Sequence, residues 1–295
     1  MRLPTWLIWS IEIMPSSLSF FARAAAFAGL VLIALLPMRA IGASQIFTLS
    51  VVPQFTSVDI GLRWTPLLKR LEAETGYGFQ LRLIDNTPKF EADFQAGVPD
   101  LVYLNPYHML MASKAQGYVP LVRGAIPLHG ILVCDKNSPI KDLSDLNGKT
   151  LAFPSPNAFG ASLYMRALLV EKEGIHFTPT YVGTHQNVFR HVILGEAAAG
   201  GGISATLEKE PASIQDRLNI LYTTPGVAPH PLAAHPRVPQ EARKKISAAL
   251  LKLNQNAAGQ KMLADVELDK VVNANYANDY LPLGKLNLER HVIAK

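Results

Sequence analysis

The stretch Leu151–Tyr164 (LAFPSPNAFGASLY) holds the residues whose types and spacing best fit a chemical task. The apolar run Leu151–Phe153 reads as a strand. Pro154, Pro156 and Gly160 break it, and a helix is predicted from Ser162 to Glu173. A strand that turns into a helix start is a place where anions bind. The first backbone N–H groups of a helix have no intrahelical acceptor, and the helix dipole adds partial positive charge there. The Pro156–Ser162 backbone, with the side chains of Ser155, Asn157 and Ser162, is therefore a candidate oxyanion cradle, and the same residues also fit an ordinary strand-to-helix connection. Thr184 and His185 follow another short strand, and Tyr107 and His108 follow Asn105–Pro106 at the end of a third. Each pair fits ligand contact or plain helix-start packing.

Other chemistries find little support. G-x-S-x-G is absent, no paired carboxylates stand in the loops after strands, and Gly200–Gly202 lacks the pattern of a dinucleotide or phosphate loop, so no enzyme is expected. His129, His191, His230 and His235 could offer imidazoles to zinc, copper or iron, but no pair has the tight spacing of a metal site. Neither a metal nor a cofactor is expected. Cys134, the one cysteine, excludes an intramolecular disulfide and reads as a small buried hydrophobe.

The chain has 295 residues, of which 17% are charged, which suits a substantial core. Residues 1–43 carry the pattern of a cleaved secretory signal peptide: Arg23, the apolar run Ala24–Leu36, Pro37, and a small-residue site ending at Ala43. A start at Met14 gives such a segment an ordinary length. The rival reading is an uncleaved anchor, for which the apolar run is short of the roughly 20 residues a span needs. The net charge of +5 falls to +3 once Arg2, Arg23, Arg39 and Glu12 are removed, too mild to argue for nucleic acid.

From Phe47 onward strands and helices alternate. Strands are predicted at Phe47–Val52, Gln80–Ile84 and Leu101–Leu104, with helices at Gly61–Thr75, Lys89–Ala96 and Tyr107–Gln116. A second set follows: strands at Thr150–Phe153, Thr180–Val182 and Ala199–Ile203, and helices at Ser162–Glu173, Asn187–Leu194 and Ala205–Lys209. This grammar predicts an α/β fold of two lobes, each a mostly parallel sheet flanked by helices. Gly130–Asp135 and Leu218–Thr223 are read as the two crossings that make a hinge. The divisions expected are 44–130 for the first part of lobe 1, 131–222 for lobe 2, and 223–295 for a return to lobe 1, with helices at Pro239–Leu253 and Ala257–Val266. Loops after strands in both lobes can then face one cleft.

The segments Asp100–Leu110 (DLVYLNPYHML), Asp142–Ser162 (DLSDLNGKTLAFPSPNAFGAS), Tyr181–Ala197 (YVGTHQNVFRHVILGEA) and Ala199–Ile203 (AGGGI) occur in this order over about residues 46–265. In this the chain resembles the PhnD-like periplasmic phosphate/phosphite/phosphonate-binding proteins of ABC transporters. The resemblance implies a type II periplasmic binding protein that closes on a small anion. It also implies a partner in the inner-membrane ABC permease or, alternatively, a sensor histidine kinase, with the protein monomeric. Thr184 and His185 match the family's anion-holding pair. Ala158, Phe159 and Gly160 stand where many relatives have Ser-Thr-Ser, leaving the backbone donors but not the hydroxyls. The run Ala197–Gly202 lacks the acidic residue expected to pair with an aminophosphonate amine, which favours a ligand without an ammonium group.

Overall fold

The computed structural model describes residues 45–293, so the signal-peptide expectation for 1–43 lies outside the described residues. The first half of the fold begins with β1 (Ile46–Val51), α1 (Ser57–Thr75), β2 (Gly78–Arg82), α2 (Thr87–Gln95), β3 (Leu101–Tyr103), α3 (Pro106–Gln116) and β4 (Val119–Arg123). Each of these helices starts on a side-chain cap, from Thr56, Asn86 and Asn105 in turn, with Pro88 and Pro106 at positions where no N–H is missed. The Thr56 cap starts α1 a turn before the Gly61 expected from the sequence. The second half has β5 (Gly130–Asp135), β6 (Thr150–Phe153), α4 (Tyr164–Glu171), β7 (Thr178–Tyr181), α5 (His185–Ile193) and β8 (Ala199–Ile203). Then come α6 (Ser204–Leu207), α7 (Ala212–Gln215) and β9 (Leu218–Thr223). The chain returns through β10 (Pro231–Ala234), α8 (Gln240–Leu253), α9 (Ala257–Asp265) and β11 (Val272–Asn273).

Two sheets result. The first has the order β11-β4-β10-β3-β1-β2, the second β7-β6-β8-β5-β9. Strands linked through helices pair in parallel: β1 with β2 and β3, and β6 with β7 and β8. The strands nearest the junction run antiparallel: β10 to β3 and β4, and β5 to β8 and β9. Both sheets are therefore mixed. The strands β4, β10 and β11 escape the sequence pattern because two contain proline and the third has two residues.

The crossings also differ from expectation. Gly130–Asp135 and Leu218–Thr223 are full strands of the second sheet, paired with each other over their length. The chain passes between sheets at 124–129 and 224–230, where Leu128 and Val227 exchange backbone hydrogen bonds of 2.9 and 3.1 Å. Gly130 N donates to Thr224 Oγ1 at 2.9 Å just beyond them. To these two passages the carboxyl-terminal segment adds a third. Tyr280 is buried in the first core, whereas Leu283 and Leu288 pack with Leu128, Phe159, Leu163 and Tyr164.

The first lobe has one continuous core, with Trp64 against Tyr103 (5.0 Å between ring centres) and Phe90 against Phe94 (5.3 Å). The second has separate apolar clusters on the two faces of its sheet. Its central strand β8 needs glycine at Gly201, where a Cβ would overlap Ala161 O and lie 2.7 Å from Phe153 Cδ1. Cys134 is buried in this lobe, and burial pushes its thiol pKa up.

Candidate functional site

Helix α2 and the loop after β6 face each other across a cavity of about 400 Å³. Asn86, Thr87, Pro88 and Glu91 line it from the first lobe, Ser155, Pro156 and Asn157 from the second, and Val292 and Ile293 from the carboxyl-terminal segment. Helix α2 presents this face because Phe90 and Phe94 turn the opposite one into the core. His108 lies wholly buried between those two rings, at 5.7 and 5.5 Å, so it does not reach the cavity. Its Nε2 meets Glu91 Oε1 at 2.9 Å, and its backbone N–H donates to the Asn105 cap. A carboxylate only accepts, so Nε2 carries the hydrogen and Nδ1 is left buried without a partner among the described residues. Tyr107 packs in the cluster around Phe159. Burial raises its pKa, with Glu289 and Glu91 adding to the shift.

The loop after β6 does not enter a regular helix. Ala158 caps it without a side-chain bond, and Phe159–Leu163 form a π turn in which Ser162 N and Leu163 N both donate to Ala158 O, at 2.9 and 3.0 Å. The N–H groups of Phe159, Gly160 and Ala161 have no intrahelical acceptor. Phe159 itself is turned inward, stacked on Tyr164 at 5.4 Å, and Gly160 is buried against Leu128. The Ser162 hydroxyl is engaged inside the protein: it donates to Pro156 O at 3.0 Å and accepts from Arg166 Nε at 3.2 Å. Asn157 is engaged as well, its amide exchanging two hydrogen bonds with the backbone of Ile293, at 3.3 and 3.2 Å. Of the side chains singled out in this loop, Ser155 lines the cavity with no protein partner among the described residues.

Arg166 explains how this irregular loop is held. Its Nη2 donates to Pro156 O at 2.7 Å and to His291 O at 2.8 Å. The residue is buried, and no carboxylate among the described residues comes within ion-pair distance. Burial lowers its pKa, but a guanidinium keeps its proton at physiological pH. An uncompensated positive charge thus lies directly behind the backbone of Pro156.

Thr184 and His185 begin the next helix, α5, outside the cavity lining. Thr184 Oγ1 caps it by accepting from Asn187 N at 3.1 Å. Gly183 N donates to Pro154 O at 2.8 Å, which sets the two helix starts of this lobe side by side. His185 Nδ1 is buried without a partner among the described residues, and burial pulls the imidazole down to about 4, so it is neutral at pH 7.

Three contributors escaped the sequence reading. Arg166 left a signal, a charge inside the otherwise apolar YMRALLV of α4. Glu91 left none, since a Glu in an amphipathic helix reads as a solvated face. It also supplies a carboxylate that the run Ala197–Gly202 lacks, from the other lobe. The third is the segment Leu288–Ile293, which closes one wall of the cavity. The histidines stay apart: His230 stacks on Tyr103 at 5.6 Å, His129 bonds Thr224 O, His191 bonds Asn187 O, and His235 meets Tyr118 edge-on. Among the described residues no group of three or more His, Cys, Asp or Glu could hold a metal ion, and no helix is long and apolar enough to cross a membrane.

Residues 49–280 match the family described as "ABC transporter, phosphonate, periplasmic substrate-binding protein". The chain belongs to this family. It is similar to the "Phosphate-import protein PhnD" of Mycolicibacterium smegmatis, 25% identical over 188 residues, which cover 57% of this chain and 58% of that protein. The chain therefore matches a little over half the length of that relative. Its fold matches that of PhnD1 from Prochlorococcus marinus in complex with methylphosphonate (TM-score 0.73, 16% identity, 84% of this chain and 99% of that one). It also matches a binding protein component of an ABC phosphonate transporter from Pseudomonas aeruginosa (TM-score 0.70, 16% identity, 84% and 88%). At this identity the two structures establish the two-lobed fold that the family shares.

Proposed function

We propose that the protein captures a small oxyanion of the phosphate, phosphite or phosphonate type between its lobes and delivers it to an inner-membrane ABC permease. The observation that carries this reading is the uncapped helix start at Ala158 with the buried, carboxylate-free Arg166 behind it. Orphan N–H groups, a helix dipole and a fixed cation all act in one direction, and each charge-assisted hydrogen bond to an anion contributes roughly 1.5–3 kcal/mol. The protein acts by binding and release, without catalysis, from the periplasm after removal of residues 1–43. Lobe closure moves about 124–129 and 224–230, and a ligand touching both lobes favours the closed state. Titration calorimetry with inorganic phosphate and methylphosphonate tests the reading. Saturable binding that weakens at least tenfold in Arg166→Met is expected, and heat of dilution alone for both anions would refute it.

A further inference from the structure

We propose that Glu91 makes this cavity select oxyanions that still carry a hydrogen-bond donor, such as a P–OH group, over isosteric anions that carry none. The proposal rests on the oxyanion reading above and adds which oxyanions qualify. Glu91 is the one charged side chain among the described residues lining the cavity. It stands one turn after Thr87 on the face of α2 opposite Ser155.

Its orientation is fixed from behind. Oε1 accepts from His108 Nε2 at 2.9 Å, and His108 is itself immobilised by the Asn105 cap and the rings of Phe90 and Phe94. The alternative tautomer would bury an Nδ1–H with no acceptor and set the Nε2 lone pair against a carboxylate. No protein donor among the described residues reaches Oε2. A carboxylate oxygen with an unfilled acceptor site is therefore available at the cavity.

Arg166 and the helix start attract any tetrahedral anion alike, so they cannot tell phosphate from sulfate. Glu91 can. Hydrogen phosphate and dihydrogen phosphate both keep at least one P–OH at neutral pH, and that hydrogen can bridge to Oε2. Sulfate has the same shape and no hydrogen, so its oxygen would meet the carboxylate oxygen with two lone pairs and two negative charges opposed. A site built around one hydrogen bond rejects the analogue that cannot make it far more strongly than a site built on size.

Calorimetric titration of inorganic phosphate and of sodium sulfate at neutral pH, on the wild-type protein, Glu91→Gln and Glu91→Ala, tests this. The wild type should prefer phosphate by about 100-fold or more. Glu91→Gln, whose amide N–H can donate to sulfate, should bring the two within about tenfold, chiefly by tighter sulfate binding. Glu91→Ala, which removes the opposed charge and leaves the His108 Nε2–H without its acceptor, should narrow the ratio too and gives a second variant should the glutamine variant not fold. A wild-type ratio near one, or a ratio unchanged in the folded variants, overturns donor selection and leaves oxyanion capture standing. Failure of phosphate, sulfate and methylphosphonate alike to bind the wild type overturns oxyanion capture and this proposal with it.

Discussion

One helix start lines the cavity, the loop Ser155–Asn157 opposite it leads into a second, and the two starts are built in opposite ways. Helix α2 in the first lobe begins with a complete cap: Asn86 Oδ1 accepts from Lys89 N at 2.9 Å, and Pro88 has no N–H to satisfy. The start at Ala158 in the second lobe has no side-chain cap, passes through a π turn, and is held from below by Arg166. A satisfied start contributes stability and offers little to a ligand. An unsatisfied one leaves donors for an anion at the cost of local regularity, and the surrounding packing must hold it in place. The second lobe accordingly packs glycine beneath its irregular turn, whereas Gly61 in α1 of the first lobe has open space around it.

That contrast predicts the largest effect. Gly201→Val should destabilise the protein by on the order of 4 kcal/mol or more, because the side chain collides with Ala161 O and Phe153 under the π turn. Gly61→Ala should instead stabilise it by roughly 0.5–1 kcal/mol through helix propensity. Urea denaturation of both variants measures the difference, and equal effects would mean that the second lobe is no more constrained than the first.

Next in size is charge at the unsatisfied start. Arg166→Met should weaken phosphate binding by tenfold or more, while Arg166→Lys, which keeps the charge without the fork, should retain most of the affinity. A uniform loss in both variants would assign Arg166 to loop geometry alone.

Each lobe also holds a histidine whose pKa is lowered, to about 4 for His185 and about 3 for His230, burial being the main cause in both. In the unfolded chain both take up protons near pH 6.5, so the unfolded state binds more protons and folding stability falls as the pH drops. The loss begins below about pH 6.5 and continues toward the folded pKa values, at up to about 1.4 kcal/mol per pH unit for each histidine. Thermal melts between pH 7 and 4.5 should show this slope, reduced by one share in His185→Phe and by one in His230→Phe. If only one variant flattens the curve, only that histidine is neutral in the folded state.

The smallest effects belong to the caps. Asn86→Ala and Thr184→Val should each cost about 1 kcal/mol of stability. Asn86 lines the cavity and Thr184 lies outside it, so only the Asn86 variant should also change phosphate affinity, by a few-fold. A matching change in Thr184→Val would show that the anion reaches the start of α5.

Most of the element order was legible because its signals are local. The strands at Thr150–Phe153 and Ala199–Ile203 have the limits expected from the apolar runs and their glycine and proline borders. Asn86 and Asn105 mark helix starts by chemistry that spans three residues. The motifs around Leu151–Tyr164 and Thr184–His185 lie in neighbouring loops of the second lobe, of which only Ser155–Asn157 line the cavity, and the motifs did not give the roles of their side chains: Ser162 and Asn157 are engaged within the protein, and Phe159 fills the core.

The sequence by itself therefore determined two α/β lobes and the family's motif order, since hydrophobic period, capping and turn chemistry act over a few residues. Only the tertiary structure decided what lines the cavity and what holds that lining in place. Arg166 reaches His291 O across 125 positions, Asn157 reaches Ile293 across 136, and Glu91 is turned toward the cavity by His108 from a neighbouring helix. No local rule encodes these contacts, because each depends on two distant segments being folded against each other before either side chain has a partner.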